Sequence, residues 1–130
     1  MRMDKKLGMY CALVADDEDG FRDLLRSMVN NSDKLTVVGE ANTGREALGL
    51  IQRLSPDLVI SDIYMPDMDG LDMTRAIRDS FPHVKVILVS GYTDRAYERL
   101  AIEAGALAFI PKTRLSPEAL HHALQGEARR

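Results

Sequence analysis

Tyr10-Cys11-Ala12-Leu13-Val14-Ala15 runs directly into Asp16-Asp17-Glu18-Asp19. A short hydrophobic run bounded by polar residues suits a strand covered on both faces, as in a parallel sheet. Because Lys5 and Lys6 precede the run from Leu7 to Ala15, the N-terminus imitates a secretion signal. The imitation fails at the acids, which stand where small residues would mark a cleavage site. Tyr10 before Cys11 is too bulky for a lipoprotein signal. The run therefore reads as a buried first strand, with Cys11 as a small hydrophobe inside it.

Comparable runs recur at Leu35–Val38, Leu58–Ile60, Val84–Val89 and Leu107–Ile110. The segments between them have helical periodicity: Phe21, Leu24, Leu25, Met28 and Val29 share one face, as do Ala47, Leu48, Ile51 and Leu54. Thr43 with Glu46 forms a capping-box signature, and Ser116 before Pro117 marks another helix start. Gly105 after Ala104 is suited to closing the fourth helix. Repeated strand–helix alternation predicts an α/β fold in which right-handed crossovers place helices on both faces of a parallel sheet. Residues 1–8 read as an N-terminal extension, 9–126 as one domain and 127–130 as a tail, with the chain loosening from Gly126.

A length of 130 residues supports a single core without disulfides or a structural metal. Seventeen Lys and Arg against twenty Asp and Glu give a net charge of −3, without the basic excess expected of a nucleic-acid-binding surface. One cysteine excludes an internal disulfide and every multi-cysteine zinc pattern, which fits a reducing cytoplasm. No apolar stretch approaches the roughly 18 residues of a membrane span.

Open parallel sheets bind ligands beyond the carboxyl ends of their strands. Those ends carry Asp16 and Asp17, Asp62, Ser90 and Lys112. Crowded carboxylates repel one another, and a divalent cation such as Mg²⁺ relieves the repulsion with hard oxygen ligands. The alternative is that Asp17 to Asp19 only cap the following helix. Lys112 facing the acids would hold an incoming anionic group, and the Ser90 hydroxyl would donate to a phosphoryl oxygen.

From Tyr10 to about Leu124 the chain resembles the receiver domain of bacterial two-component response regulators. The resemblance rests on Asp16-Asp17, on Asp62-Ile63-Tyr64-Met65-Pro66 followed by Asp69-Gly70, on Val89-Ser90-Gly91, and on Gly105-Ala106 leading to Phe109-Ile110-Pro111-Lys112. It implies a flavodoxin-like, doubly wound (βα)5 fold with strand order 2-1-3-4-5. It further implies Asp62 as phosphoacceptor, with Asp17, Asp62 and the Tyr64 backbone carbonyl binding Mg²⁺ directly and Asp16 acting through a metal-bound water. Lys112 and Ser90 would hold the phosphoryl oxygens, and Ser90 with Phe109 would form a conformational switch. A sensor histidine kinase is the implied partner, with a homodimer as one output. Tyr64, Gly91 and Tyr92 are expected at the pocket rim, where the two tyrosines would shield phospho-Asp62 from water.

Many receivers place proline after the lysine, whereas Thr113 follows Lys112 here and Pro111 precedes it, so no cis Lys112–Thr113 bond is expected. The Pro-Lys order, Val38-Gly39-Glu40-Ala41 and the Thr43–Leu48 helix start look like receivers joined to LuxR/NarL-type helix-turn-helix domains. No such DNA-binding domain is visible in the sequence, so the expectation is a standalone receiver or a piece of a longer protein that reaches DNA only through another domain.

Three readings compete. A haloacid-dehalogenase-type aspartyl-phosphate phosphatase needs a second acid two residues after the nucleophile, where Tyr64 stands. A degenerate receiver serving only as an interaction module would have lost part of the acidic set, which is complete here. Gly39 to Gly44 has phosphate-loop glycine spacing, but Arg45 and Glu46 follow where Lys and Ser or Thr are needed.

Overall fold

The computed structural model describes residues 9–91 and 95–128. Its strands are β1 (Tyr10–Ala15), β2 (Leu35–Ala41), β3 (Leu58–Asp62), β4 (Lys85–Ser90) and β5 (Ala108–Pro111). They alternate with α1 (Asp19–Asn30), α2 (Gly44–Leu54), α3 (Gly70–Ser80), α4 (Arg95–Ala104) and α5 (Pro117–Ala128). All strand pairs are parallel and the order is β2-β1-β3-β4-β5. This is the flavodoxin-like arrangement expected from the resemblance.

Side-chain alternation divides each central strand between two cores. Leu13, Ala15 and Val59 pack with Ile51, Met73, Ile77 and Ala101 on one face of the sheet. Ala12, Val14, Leu58 and Ile60 pack with Leu25, Val29, Leu120 and Leu124 on the other. Both faces are covered, which is why the strands read as continuous hydrophobic runs.

The expected caps are present. The Thr43 hydroxyl accepts the Glu46 amide at 3.1 Å, and the Ser116 hydroxyl accepts the Ala119 amide at 3.0 Å. Gly105 closes α4 at φ 106°, a left-handed conformation natural to glycine. Two expectations are corrected. Leu24 lies at the edge of the α1 apolar stripe and remains 47% exposed, while neighbouring Leu25 fills the core. The helix α5 continues to Ala128, past the expected domain end at residue 126. Among the described residues, no helix is long and apolar enough to cross a membrane.

Candidate functional site: an acidic cavity at the carboxyl edge

Strand register brings the expected residues to one edge. Ala15 pairs with Ser61, Asp62 with Val89, and Ser90 with Pro111, so the residues that end or follow β1, β3, β4 and β5 converge. Asp16 is fully buried, Asp62 is nearly so, and Asp17 is exposed. Together with Glu18, Tyr64, Gly91 and Lys112, these aspartates line an open cavity of about 630 Å³.

Backbone contacts hold the acidic loop in place. The Asp16 amide donates to the Ala41 carbonyl at 3.0 Å, and the Asp16 carbonyl accepts from Arg22 Nη1 at 2.8 Å. Asp16 Oδ1 accepts the Glu18 amide at 2.8 Å. Glu18 is the N-cap of α1 but makes no side-chain cap bond, so helix capping does not account for the acidic run.

The loop after Asp62 is tied down from several directions. The Tyr64 amide donates to Asp62 Oδ1 at 3.1 Å, and the Ile63 amide to the Val89 carbonyl at 2.9 Å. Asp67 Oδ1 accepts the Gly44 amide and Oδ2 the Arg45 amide, each at 2.9 Å, so one carboxylate spans the N-terminus of α2. A Cβ at Gly70 would lie 2.8 Å from the Ile63 Cα, which explains the glycine where α3 folds back against β3.

Lys112 Nζ donates to Asp16 Oδ2 and Asp62 Oδ2, both at 3.1 Å. The same nitrogen stands 3.9 Å from the centroid of the Phe21 ring. Two carboxylates and an aromatic face thus surround the ammonium, each attracting positive charge. Burial pulls the Lys112 pKa down, but the hydrogen bonds it donates to Asp62 and Asp16 outweigh it and the net direction is upward. Burial drives the Asp16 pKa up; the Glu18 amide and Lys112 oppose this, while the Asp62 charge adds to it.

Asp16, Asp17 and Asp62 each offer an oxygen within 4.8 Å of the others. Three hard oxygen donors on an open cavity fit a divalent cation that retains several waters. The nearby buried charge gives such an ion something to neutralise.

The other expected residues divide. Gly91 and Tyr64 line the cavity, Tyr64 being 40% exposed. Ser90 ends β4 but is fully buried and is absent from the cavity lining. Phe109 is buried among Ala101, Ala106 and Leu88. Tyr92 lies outside the described residues. Sequence reasoning missed the contributions of Asp67, Arg22 and the Phe21 ring to this site. Phe21 had signalled only a core-facing position.

Residues 12–125 match the family described as the response regulator receiver domain. A protein-glutamate methylesterase/protein-glutamine glutaminase of Pyrococcus abyssi is 42% identical over 102 residues, covering 77% of this chain and 27% of that protein. Response regulator GacA of Pseudomonas viridiflava is 36% identical over 104 residues, covering 80% of this chain and 49% of that protein. The chain thus spans between about a quarter and a half of these curated relatives. Among solved structures, the signal receiver domain of NarL from Mycobacterium tuberculosis superposes with a TM-score of 0.80 at 32% identity, covering 89% of this chain and 97% of that one.

Proposed function

This chain belongs to the response regulator receiver domain family, and from its acidic cavity we propose that Asp62 accepts a phosphoryl group from a sensor histidine kinase. The observation that carries the reading is Lys112 bridging Asp16 and Asp62 beside exposed Asp17 in an open cavity. A carboxylate oxygen of Asp62 attacks phosphorus as the bond from phosphorus to the kinase imidazole breaks. An acyl phosphate forms on Asp62, and the imidazole leaves with a proton from solvent. Asp17, Asp62 and the Tyr64 carbonyl would hold Mg²⁺ directly, with Asp16 acting through a metal-bound water, and the bound ion would neutralise charge on the phosphoryl oxygens.

The chain's own residues do the positioning. The Tyr64 amide fixes the Asp62 carboxylate, while Lys112, held in its charged form, transfers its donors from Asp62 to the phosphoryl group. Ser90 reaches the same group by moving toward it from its buried place, and Phe109 responds on the adjacent strand. Phosphorylation thereby biases an existing two-state equilibrium at the face formed by α4, β5 and α5, with homodimerisation as one outcome. We place the protein in the cytoplasm, where its kinase donor and reduced Cys11 belong.

Transcriptional control through a DNA-binding domain is the proposed output. The methylesterase relatives favour a second output, ester hydrolysis by an attached domain. Assaying the full-length polypeptide for DNA binding and for methylester hydrolysis, with and without phosphorylation, separates the two. The phosphoacceptor role itself is tested by intact-mass analysis after incubation with acetyl phosphate and Mg²⁺. One added phosphoryl group, lost in Asp62→Ala and with EDTA, is expected. Addition that persists in Asp62→Ala, or catalytic turnover of a small phosphomonoester, would contradict the reading.

A further inference from the structure

Tyr64 sits at the cavity rim with its amide tied to the phosphoacceptor carboxylate, and the residue is 40% exposed. An exposed ring ordinarily samples several rotamers, and a ring that moves freely shields nothing. Here the ring meets Tyr97 of α4 edge to face, with centroids 5.7 Å apart and planes at 83°. Tyr97 is itself half-buried against the core cluster that contains Ala101, Ala106 and Phe109. The chain of contact therefore runs from a packed core, through Tyr97, to the side chain two residues beyond Asp62.

We propose that Tyr97 is a positioning residue for phosphoryl lifetime: it holds the Tyr64 ring over the cavity and so restricts the approach of water to phospho-Asp62. The inference rests on the phosphoacceptor reading above. Hydrolysis requires a water oxygen to attack phosphorus in line with the bond to Asp62. That bond breaks, inorganic phosphate departs, the Asp62 carboxylate is restored, and the water proton passes to solvent. A ring fixed on the approach side lowers the population of the in-line geometry. Tyr97 is not among the residues that line the cavity, and its ring contact reaches the cavity at Tyr64.

The size of the effect follows from the ring contact. An edge-to-face aromatic pair biases the held rotamer by about two- to tenfold, which bounds the change in hydrolysis rate when the brace is removed. Only the ring edge and face are needed, so phenylalanine should serve as well as tyrosine.

The test phosphorylates the whole chain with acetyl phosphate and Mg²⁺, removes the donor, and follows loss of the phosphoryl group by intact mass at constant Mg²⁺. Tyr97→Leu is expected to shorten the lifetime about two- to tenfold. Tyr97→Phe should leave it unchanged, and Tyr64→Ala should shorten it at least as much as Tyr97→Leu. In the Tyr64→Ala background, Tyr97→Leu should add nothing further. Tyr97→Met, with a flexible side chain that fills the same gap, provides the same comparison if Tyr97→Leu folds poorly. A wild-type lifetime in both Tyr97→Leu and Tyr97→Met would overturn the proposal. So would an equal shortening by Tyr97→Leu in the Tyr64→Ala background, because that effect could not act through Tyr64. If wild-type protein gains no phosphoryl group at all, the phosphoacceptor reading fails and takes the lifetime role with it.

Discussion

Ala15 and Ser61 are paired neighbours inside the sheet, and one residue further along the same two strands stand Asp16 and Asp62. Within the sheet, residues such as Val14 and Ile60 are fully buried among aliphatic side chains, where loss of contact with water stabilises the fold. At the edge the burial is just as deep for Asp16, but the buried group is a carboxylate and the same loss of water is unfavourable to its charge. Lys112 offsets part of that cost by bridging both acids. The interior thus supplies stability, while the edge keeps an electrostatic tension that an incoming cation or phosphoryl group can relieve.

That contrast is most forcefully challenged in the interior. Ile60→Ala should reduce unfolding free energy in urea by about 2–5 kcal/mol, through lost burial and a residual cavity, equally with and without Mg²⁺. A Mg²⁺-dependent loss would mean that interior and edge are not separate in their energetics.

A smaller effect is expected at Asp67, which joins the edge to α2. Asp67→Ala leaves the Gly44 and Arg45 amides without their acceptor and should cost about 1 kcal/mol, as loss of a helix cap does. Burial pushes the Asp67 pKa up, but the Arg45 and Gly44 amides outweigh it and the net direction is downward. Its ionised form is therefore favoured by folding. The contribution is present above the unfolded pKa and is lost as pH falls through the lower folded value. Unfolding curves of wild type and Asp67→Ala should converge in acid.

The smallest change in stability is expected at Asp16, because the Glu18 amide and Lys112 already offset much of the burial cost. Its folded pKa lies above the unfolded one, so its protonated form is favoured by folding. That favourable contribution is complete below the unfolded pKa and disappears as pH rises through the folded pKa. Without divalent ions, Asp16→Asn should thus unfold at a slightly higher temperature than wild type near neutral pH, with the gain vanishing in acid. A lower melting temperature at neutral pH would show that the ionised carboxylate is a net stabiliser and would remove the tension from the edge.

Much of this arrangement was legible because it is local. The Tyr10–Ala15 run, the Thr43–Glu46 box and the glycine after Ala104 each announce their structure within a few residues, and strand-end acids fall together once the strands are parallel. The contacts that tune the site are not local. Asp67 meets the α2 amides from across the edge, Phe21 covers Lys112 from another helix, and Tyr97 braces Tyr64 from α4. No spacing rule encodes such pairs. Ser90 was correctly placed at a strand end, but its seclusion from the cavity depends on how the residues around β4 pack. Leu24 satisfied the helical repeat and still stayed exposed, because the stripe is wider than the surface that α1 buries.

The account depends most on Asp62 being the residue that carries the phosphoryl group. An acyl phosphate is reduced by borohydride to an alcohol, which converts the modified aspartate to homoserine. Protein treated with acetyl phosphate and Mg²⁺, reduced, digested with trypsin and sequenced by fragmentation mass spectrometry should carry homoserine at Asp62 within the Leu54–Arg75 peptide. Homoserine at Asp16, Asp17, Asp67 or Asp69 in place of Asp62, or its absence from every peptide of a phosphorylated sample, would contradict the account.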